Sequence, residues 1–166
     1  MIRILIKSFV LYFLLTTFLF SETISQIEVN GNKRISEESV IVFSELKTGM
    51  NFNDSIINDS LKKLYKTNFF ESVDISYDDS RIKISVIENP IVEEIDIIGI
   101  KKKNFLEFIE ENIYLRERVS FNDFYLKNDL KIIENILKTN GYYFSDIKTS
   151  FNKNLELNTI NLKIEI

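Results

Sequence analysis

The sequence predicts an α+β protein made of two tandem β-α-α-β-β modules, each a three-stranded mixed sheet covered by two helices. Three observations carry this: apolar residues that alternate with polar ones over short runs, apolar stripes at helical spacing between those runs, and one pattern that occurs twice.

The duplication shows in short echoes kept in order. Ile27-Glu-Val29-Asn-Gly31 returns 68 residues later as Ile95-Asp-Ile97-Ile-Gly99, and Phe52-Asn53-Asp54 returns 69 later as Phe121-Asn122-Asp123. Lys66-Thr67-Asn68-Phe69-Phe70 has its counterpart in Lys138-Thr139-Asn140-Gly141-Tyr142-Tyr143.

In the first copy Ile27 and Val29 alternate with Glu28 and Asn30, the period of a half-buried strand, and Gly31 ends it. Ser36 caps a short helix whose first turn holds Glu37 and Glu38, which suit the helix dipole, and whose stripe is Val40, Ile41, Phe43 and Leu46. Gly49 ends or follows it. Asn53 caps the next helix, Asp54 to Thr67, with Ile57, Leu61 and Leu64 on one face; Asn68 is expected to close it in a left-handed conformation. Val73, Ile75 and Tyr77 then alternate with Ser72, Asp74 and Ser76. Ile82, Ile84 and Val86 alternate with Lys83 and Ser85, and Asp78-Asp79-Ser80 makes the hairpin turn.

The second copy keeps this order. Glu93, Ile95 and Ile97 share one face of its first strand, and Phe105, Phe108 and Ile109 mark the short helix. Leu126, Leu130, Ile133 and Leu137 mark a longer one, capped by Asn122 and closed by Gly141. Ile147, Thr149 and Phe151 give the next strand, and Ile160, Leu162, Ile164 and Ile166 the last. Only Asn89-Pro90 separates the copies, so their relative rotation is expected to be limited.

Ahead of the modules, Arg3 and Lys7 precede an apolar run from Phe9 to Phe20 interrupted by Thr16 and Thr17, the pattern of a secretory signal peptide. Residues 1–21 are read as that signal, cleaved after Ser21. The alternative is a retained anchor helix, for which Ile4 to Phe20 is at the short limit for a hydrocarbon core of about 30 Å. The modules are then 22–89 and 90–166. Removing Arg3 and Lys7 from the 21 basic residues leaves 19 against 25 acidic ones, a net charge of −6 that disfavours nucleic acid as a partner.

The residue inventory excludes most chemistry. With no histidine and no cysteine there is no imidazole base, thiol nucleophile or thiolate metal site, and no disulfide. The acidic pairs Glu37-Glu38, Asp78-Asp79, Glu93-Glu94 and Glu110-Glu111 fall at caps and turns or on opposite faces of a strand. The four glycines are scattered at element ends, so no phosphate loop exists. No catalytic residue, metal or cofactor is expected. Lys101-Lys102-Lys103 reads as a solvated turn, and the aromatics Phe69 and Phe70, like Tyr142, Tyr143 and Phe144, as corner residues packed in the core.

Ile27-Glu-Val29-Asn-Gly31-Asn-Lys-Arg34-Ile35, Gly49-x-x-Phe52, Leu61-x-x-Leu64-Tyr65-x-x-x-Phe69-Phe70-x-x-Val73 and Val86-Ile-Glu88-x-Pro90 together resemble POTRA domains. These are the modules that precede the β-barrel in the outer-membrane protein assembly factor BamA family, and the resemblance spans about residues 24–166. It implies a place in the periplasm at the outer membrane of a Gram-negative bacterium, reached through a C-terminal barrel not present in this chain. It also implies two kinds of partner, unfolded outer-membrane protein precursors and accessory assembly lipoproteins. A two-partner secretion pore component or an FtsQ-like division protein would carry the same module, and the barrel sequence or the mature N-terminus separates these. A secreted enzyme would need convergent polar groups in a pocket.

A three-stranded sheet leaves strand edges whose N–H and C=O groups can accept another chain as an added strand. If the topology follows the family, the last strand is central. The partner-binding edges are then Ser72, Val73, Asp74, Ile75, Ser76 and Tyr77 in the first module and Asp146, Ile147, Lys148, Thr149, Ser150 and Phe151 in the second.

Overall fold

A computed structural model describes residues 23–166; the signal-peptide reading of residues 1–21 lies outside the described residues. Module 1 runs β1 (Gln26–Asn30), α1 (Glu37–Ser44), α2 (Asp54–Lys66), β2 (Phe70–Asp78) and β3 (Arg81–Glu88). Module 2 runs β4 (Ile91–Ile98), α3 (Lys103–Asn112), α4 (Asp123–Thr139), β5 (Lys148–Asn154) and β6 (Thr159–Glu165). The two α+β units have the expected β-α-α-β-β order.

In each sheet the last strand is central. The orders are β1-β3-β2 and β4-β6-β5, with the first strand parallel and the hairpin strand antiparallel to the centre. Alternation decides which face is buried: Ile82, Ile84 and Val86 of β3, and Ile160, Leu162 and Ile164 of β6, are at most 3% exposed, whereas the intervening Arg81, Lys83 and Ile87 face solvent. The helices close over the buried face through Val40, Leu46 and Leu64 in module 1 and Ile109, Ile133 and Leu137 in module 2. Each such side chain contributes about 1.5–3 kcal/mol relative to exposure.

The caps form as read. Ser36 Oγ accepts from the N–H of Ser39, Asn53 Oδ1 from Ile56 and Asn122 Oδ1 from Phe124. Asn68 is left-handed (φ 61°), and Asp79 and Ser80 (φ 44° and 65°) form the two-residue turn that matches strand twist. Gly49 follows the first helix, because Glu45 (φ 57°) closes it with its N–H on the Val42 carbonyl.

Two expectations fail at one place. Tyr142, Tyr143 and Phe144 are not core: Phe144 is 100% exposed, in contrast to Phe70 at 2%, and in module 1 Phe69, also expected in the core, is 37% exposed. Asp146 and Ile147 precede β5 and are not in it. Both follow from the longer helix. α4 has 17 residues against 13 in α2, about one extra turn, which carries the corner beyond the sheet. The ladder of β5 on β6 begins at Lys148 opposite Glu165. Ile166, next past Glu165, gives its N–H to the Ile98 carbonyl on the other side.

The joint between modules is buried and hydrogen-bonded. Glu88, Asn89 and Pro90 are all buried. The Asn158 Nδ2 donates to the carbonyls of Glu88 (3.0 Å) and Asn89 (3.4 Å), Ile91 N–H to the Asn158 carbonyl, and Phe121 N–H to the Pro90 carbonyl. Asn68 Nδ2 reaches the Tyr125 hydroxyl at 2.7 Å. These bonds supply the restraint on rotation that the short linker suggests.

Candidate functional site

The two hairpin strands lie at sheet edges, but they differ in what remains open. On β2, Val73 is buried and its backbone is engaged on the side away from β3. Its N–H donates to the Tyr65 hydroxyl (3.1 Å), which donates back to the Val73 carbonyl (3.4 Å). Because outward and inward groups alternate along an antiparallel strand, this clasp occupies the start of the row to which Ile75 and Tyr77 also belong. Tyr77 is further held by its ring, stacked on Phe52 at 3.7 Å. Ser72 is half-buried, and only Asp74 and Ser76 of the six predicted residues are exposed.

In β5 every residue from Lys148 to Asn154 is exposed. Leu137, which directly precedes Lys138-Thr139-Asn140 as Tyr65 precedes Lys66-Thr67-Asn68, is a core residue without a hydroxyl, so it offers no such clasp. α2 packs along β2, but α4 makes no comparable contact with β5. Phe151 therefore stands 52% exposed on the inner face, against the edge of Phe121 at 6.1 Å, and Lys153 lies 5.8 Å from its ring. Of the predicted residues Lys148, Thr149, Ser150 and Phe151 share one open strand, while Asp146 and Ile147 do not belong to it. Leu155 and Leu157 in the following turn, 84% and 62% exposed, extend the apolar surface.

A row of free backbone groups beside an uncovered aromatic can take an extended segment, with hydrogen bonds from the main chain and contact area from Phe151. Sequence reasoning found the strand but not its greater openness. Tyr65 was visible as part of a motif without a role, and helix length was the signal that could have exposed the difference.

Two carboxylates unforeseen as structural groups hold loops in place. Glu88 Oε1 accepts the N–H groups of Lys33 (2.7 Å), Arg34 (3.0 Å) and Ile35 (3.0 Å), and Oε2 accepts Arg34 Nε at 3.1 Å. Burial acts to raise its pKa, but the three N–H donors and the Arg34 charge outweigh it and leave the carboxyl below its ordinary value. Asp129, fully buried, accepts Tyr114 N–H (2.9 Å) and Leu115 N–H (2.8 Å). Among the described residues no group of three or more acidic side chains is placed to hold a metal ion.

Comparison with known proteins agrees with this geometry. The model of the POTRA family, surface antigen variable number repeat, matches residues 22–89 and again 90–166. The outer membrane protein assembly factor BamA of Neisseria meningitidis is 32% identical over 93 residues, covering 52% of this chain and 12% of that protein. This chain therefore spans only a small part of that relative's length. The N-terminal domain of Omp85 from Thermosynechococcus elongatus has the same fold, with a TM-score of 0.56 at 16% identity over 85% of this chain and 61% of that one. POTRA1-2 of Omp85 from Anabaena gives a TM-score of 0.52 at 16% identity over 85% and 92%. With two matched copies, each a β-α-α-β-β unit, the chain belongs to the POTRA family.

Proposed function

We propose that the chain is the POTRA region of an outer-membrane β-barrel assembly factor, exported by residues 1–21 and working in the periplasm. It holds unfolded barrel precursors as an added strand on β5, with accessory assembly lipoproteins as further partners. The observation that carries the binding mode is β5 itself, open along its edge and on its inner face around Phe151. Pairing through main-chain groups tolerates many client sequences, which suits a factor that handles a class of substrates. Membership in the POTRA family and the likeness to an outer membrane protein assembly factor support the assignment of the client class. The work is binding and presentation, without covalent chemistry.

Site-specific photocrosslinking tests this. A photoreactive side chain at Ser150 or Asn152 is expected to capture a urea-unfolded outer-membrane barrel protein several-fold more than one at Asp74 or Ser76 of β2, the strand whose outward row is clasped at Val73 by Tyr65. A probe at Lys131 on the exposed side of α4 gives the background. Equal capture at all these sites overturns the β5 assignment.

A further inference from the structure

The open strand β5 has a property that a client strand does not require: it is complementary to itself. On β2, Val73 gives both backbone groups to Tyr65 on the side away from β3 while its side chain is buried, so the outward groups belong to the residues that face the core. The repeat carries this over to module 2. Ile75 stands opposite Ile84, the partner of Val29, as Thr149 stands opposite Ile164, the partner of Ile97. The outward N–H and C=O groups of β5 are therefore those of Thr149, Phe151 and Lys153, whose side chains share the inner face.

Phe151 is the midpoint of the seven residues from Lys148 to Asn154. Two copies of β5, set antiparallel about a two-fold axis that passes through Phe151 normal to the sheet, pair over their whole length. Phe151 then lies opposite the partner's Phe151, Thr149 opposite the partner's Lys153, Ser150 opposite the partner's Asn152 and Lys148 opposite the partner's Asn154. Every outward N–H meets an outward C=O. Ring meets ring on the inner face, with Phe121 beside them at 6.1 Å, and hydroxyl meets amide on the outer face. No lysine opposes a lysine. The smallest slip that keeps the inner faces together puts Thr149 or Lys153 opposite Phe151 and leaves strand ends unpaired.

We propose that this edge also takes a second copy of the chain, forming a two-fold dimer whose sheets join in the order β4-β6-β5-β5-β6-β4. The pairing is closed, because it uses both open β5 edges at once and leaves none to extend a fibre through β5. It covers the ring of Phe151, which is 52% exposed in the single chain. A contact one strand wide falls below the roughly 1,200 Å² of a stable interface, so the dimer is weak and exchanges readily. The inference goes beyond the client reading and bears on it. Partner and client compete for the same backbone groups, so self-pairing shields the edge while no client is present.

Because the chain has no cysteine, introduced thiols report the register directly. Ser150 and the partner's Asn152 form a non-hydrogen-bonded pair with Cα atoms about 4.5 Å apart, within disulfide reach, whereas Ser150 and the partner's Ser150 are diagonal neighbours about 7–8 Å apart. Full-length Ser150→Cys and Asn152→Cys proteins, carrying tags of different size, are mixed under mild oxidation, once in the native state and once in urea. The native mixture is expected to give the mixed disulfide in about tenfold or greater excess over either homodimer, and the urea mixture a random distribution. Adding Phe151→Lys to both proteins is expected to abolish the excess, and Phe151→Lys in one with Phe151→Glu in the other to restore it. A random distribution in the native state, an excess of either homodimer, or indifference to the charges at Phe151 overturns the proposal. Photocapture at Ser150 decides the client reading separately: a monomer that captures client overturns only self-pairing, and a dimer that captures none overturns only the client.

Discussion

Removing the Glu88 carboxylate tests whether one side chain organises the entrance to module 1. The side chain is 1% exposed and its partner Arg34 is 34% exposed, so the acid, more than the base, depends on its contacts. Glu88→Ala strands three N–H donors and one guanidinium. Bonds to a charged acceptor are worth about 1.5–3 kcal/mol each, but three donors share one oxygen and the loop can admit water, so the loss is set at about 3–5 kcal/mol. Glu88→Gln keeps an acceptor and loses the charge, for about 1.5–3 kcal/mol.

The pH dependence has a defined sign. The folded-state pKa lies below the ordinary glutamate value that describes the unfolded chain, so this stabilisation is complete above that ordinary value and is lost as pH falls through the folded pKa. The stability gap between the wild type and Glu88→Gln should therefore close in strongly acidic solution, where the native side chain becomes a neutral isostere of glutamine. Urea unfolding at neutral pH and in steps down into the acid range, read by far-ultraviolet circular dichroism, measures it. A gap that is as wide in acid as at neutrality refutes the charge argument, and a loss below about 1 kcal/mol for Glu88→Ala refutes the loop argument.

Two further variants probe the backbone and the second carboxylate. Gly31→Ala combines a positive φ of 85° with a Cβ that would meet the Val86 carbonyl, whereas Gly141→Ala at φ 90° meets nothing within 4 Å. Thermal unfolding should show about 1 kcal/mol lost at Gly141 and at least twice that at Gly31, and equal losses would mean that the close approach carries no energy. Asp129→Ala leaves the N–H groups of Tyr114 and Leu115 without an acceptor in the interior, for about 3–5 kcal/mol by the same denaturant assay. A loss within experimental scatter would show that water replaces the carboxylate.

The sequence made the modules legible because their signals are local. Alternation in Ile82-Lys83-Ile84-Ser85-Val86, the caps Ser36, Asn53 and Asn122, and the left-handed Asn68 each depend on a few neighbouring residues. The sheet order, read only through family resemblance, also agrees. What escaped depends on partners far along the chain. Glu88 lies more than fifty residues from the loop it closes, and Asp129 from helix α4 reaches back to the segment after α3. The exposure of Tyr142–Phe144 escaped for a related reason: an aromatic run at a corner looks the same whether or not the helix before it carries it past the sheet. The contrast between the edges turns on Tyr65 reaching over Val73, which periodicity does not encode.

The seam at Glu88–Pro90 has a mechanical meaning. Its polar groups are tied to both modules, since Arg34 Nη2 holds the Asn89 carbonyl from one side and Asn158 approaches from the other. Bending there would break bonds in both halves at once, so the pair resists flexing as a stiff arm does. The strands on its two halves keep a constant separation and heading, and a polymer that touched both would be gauged against a fixed ruler.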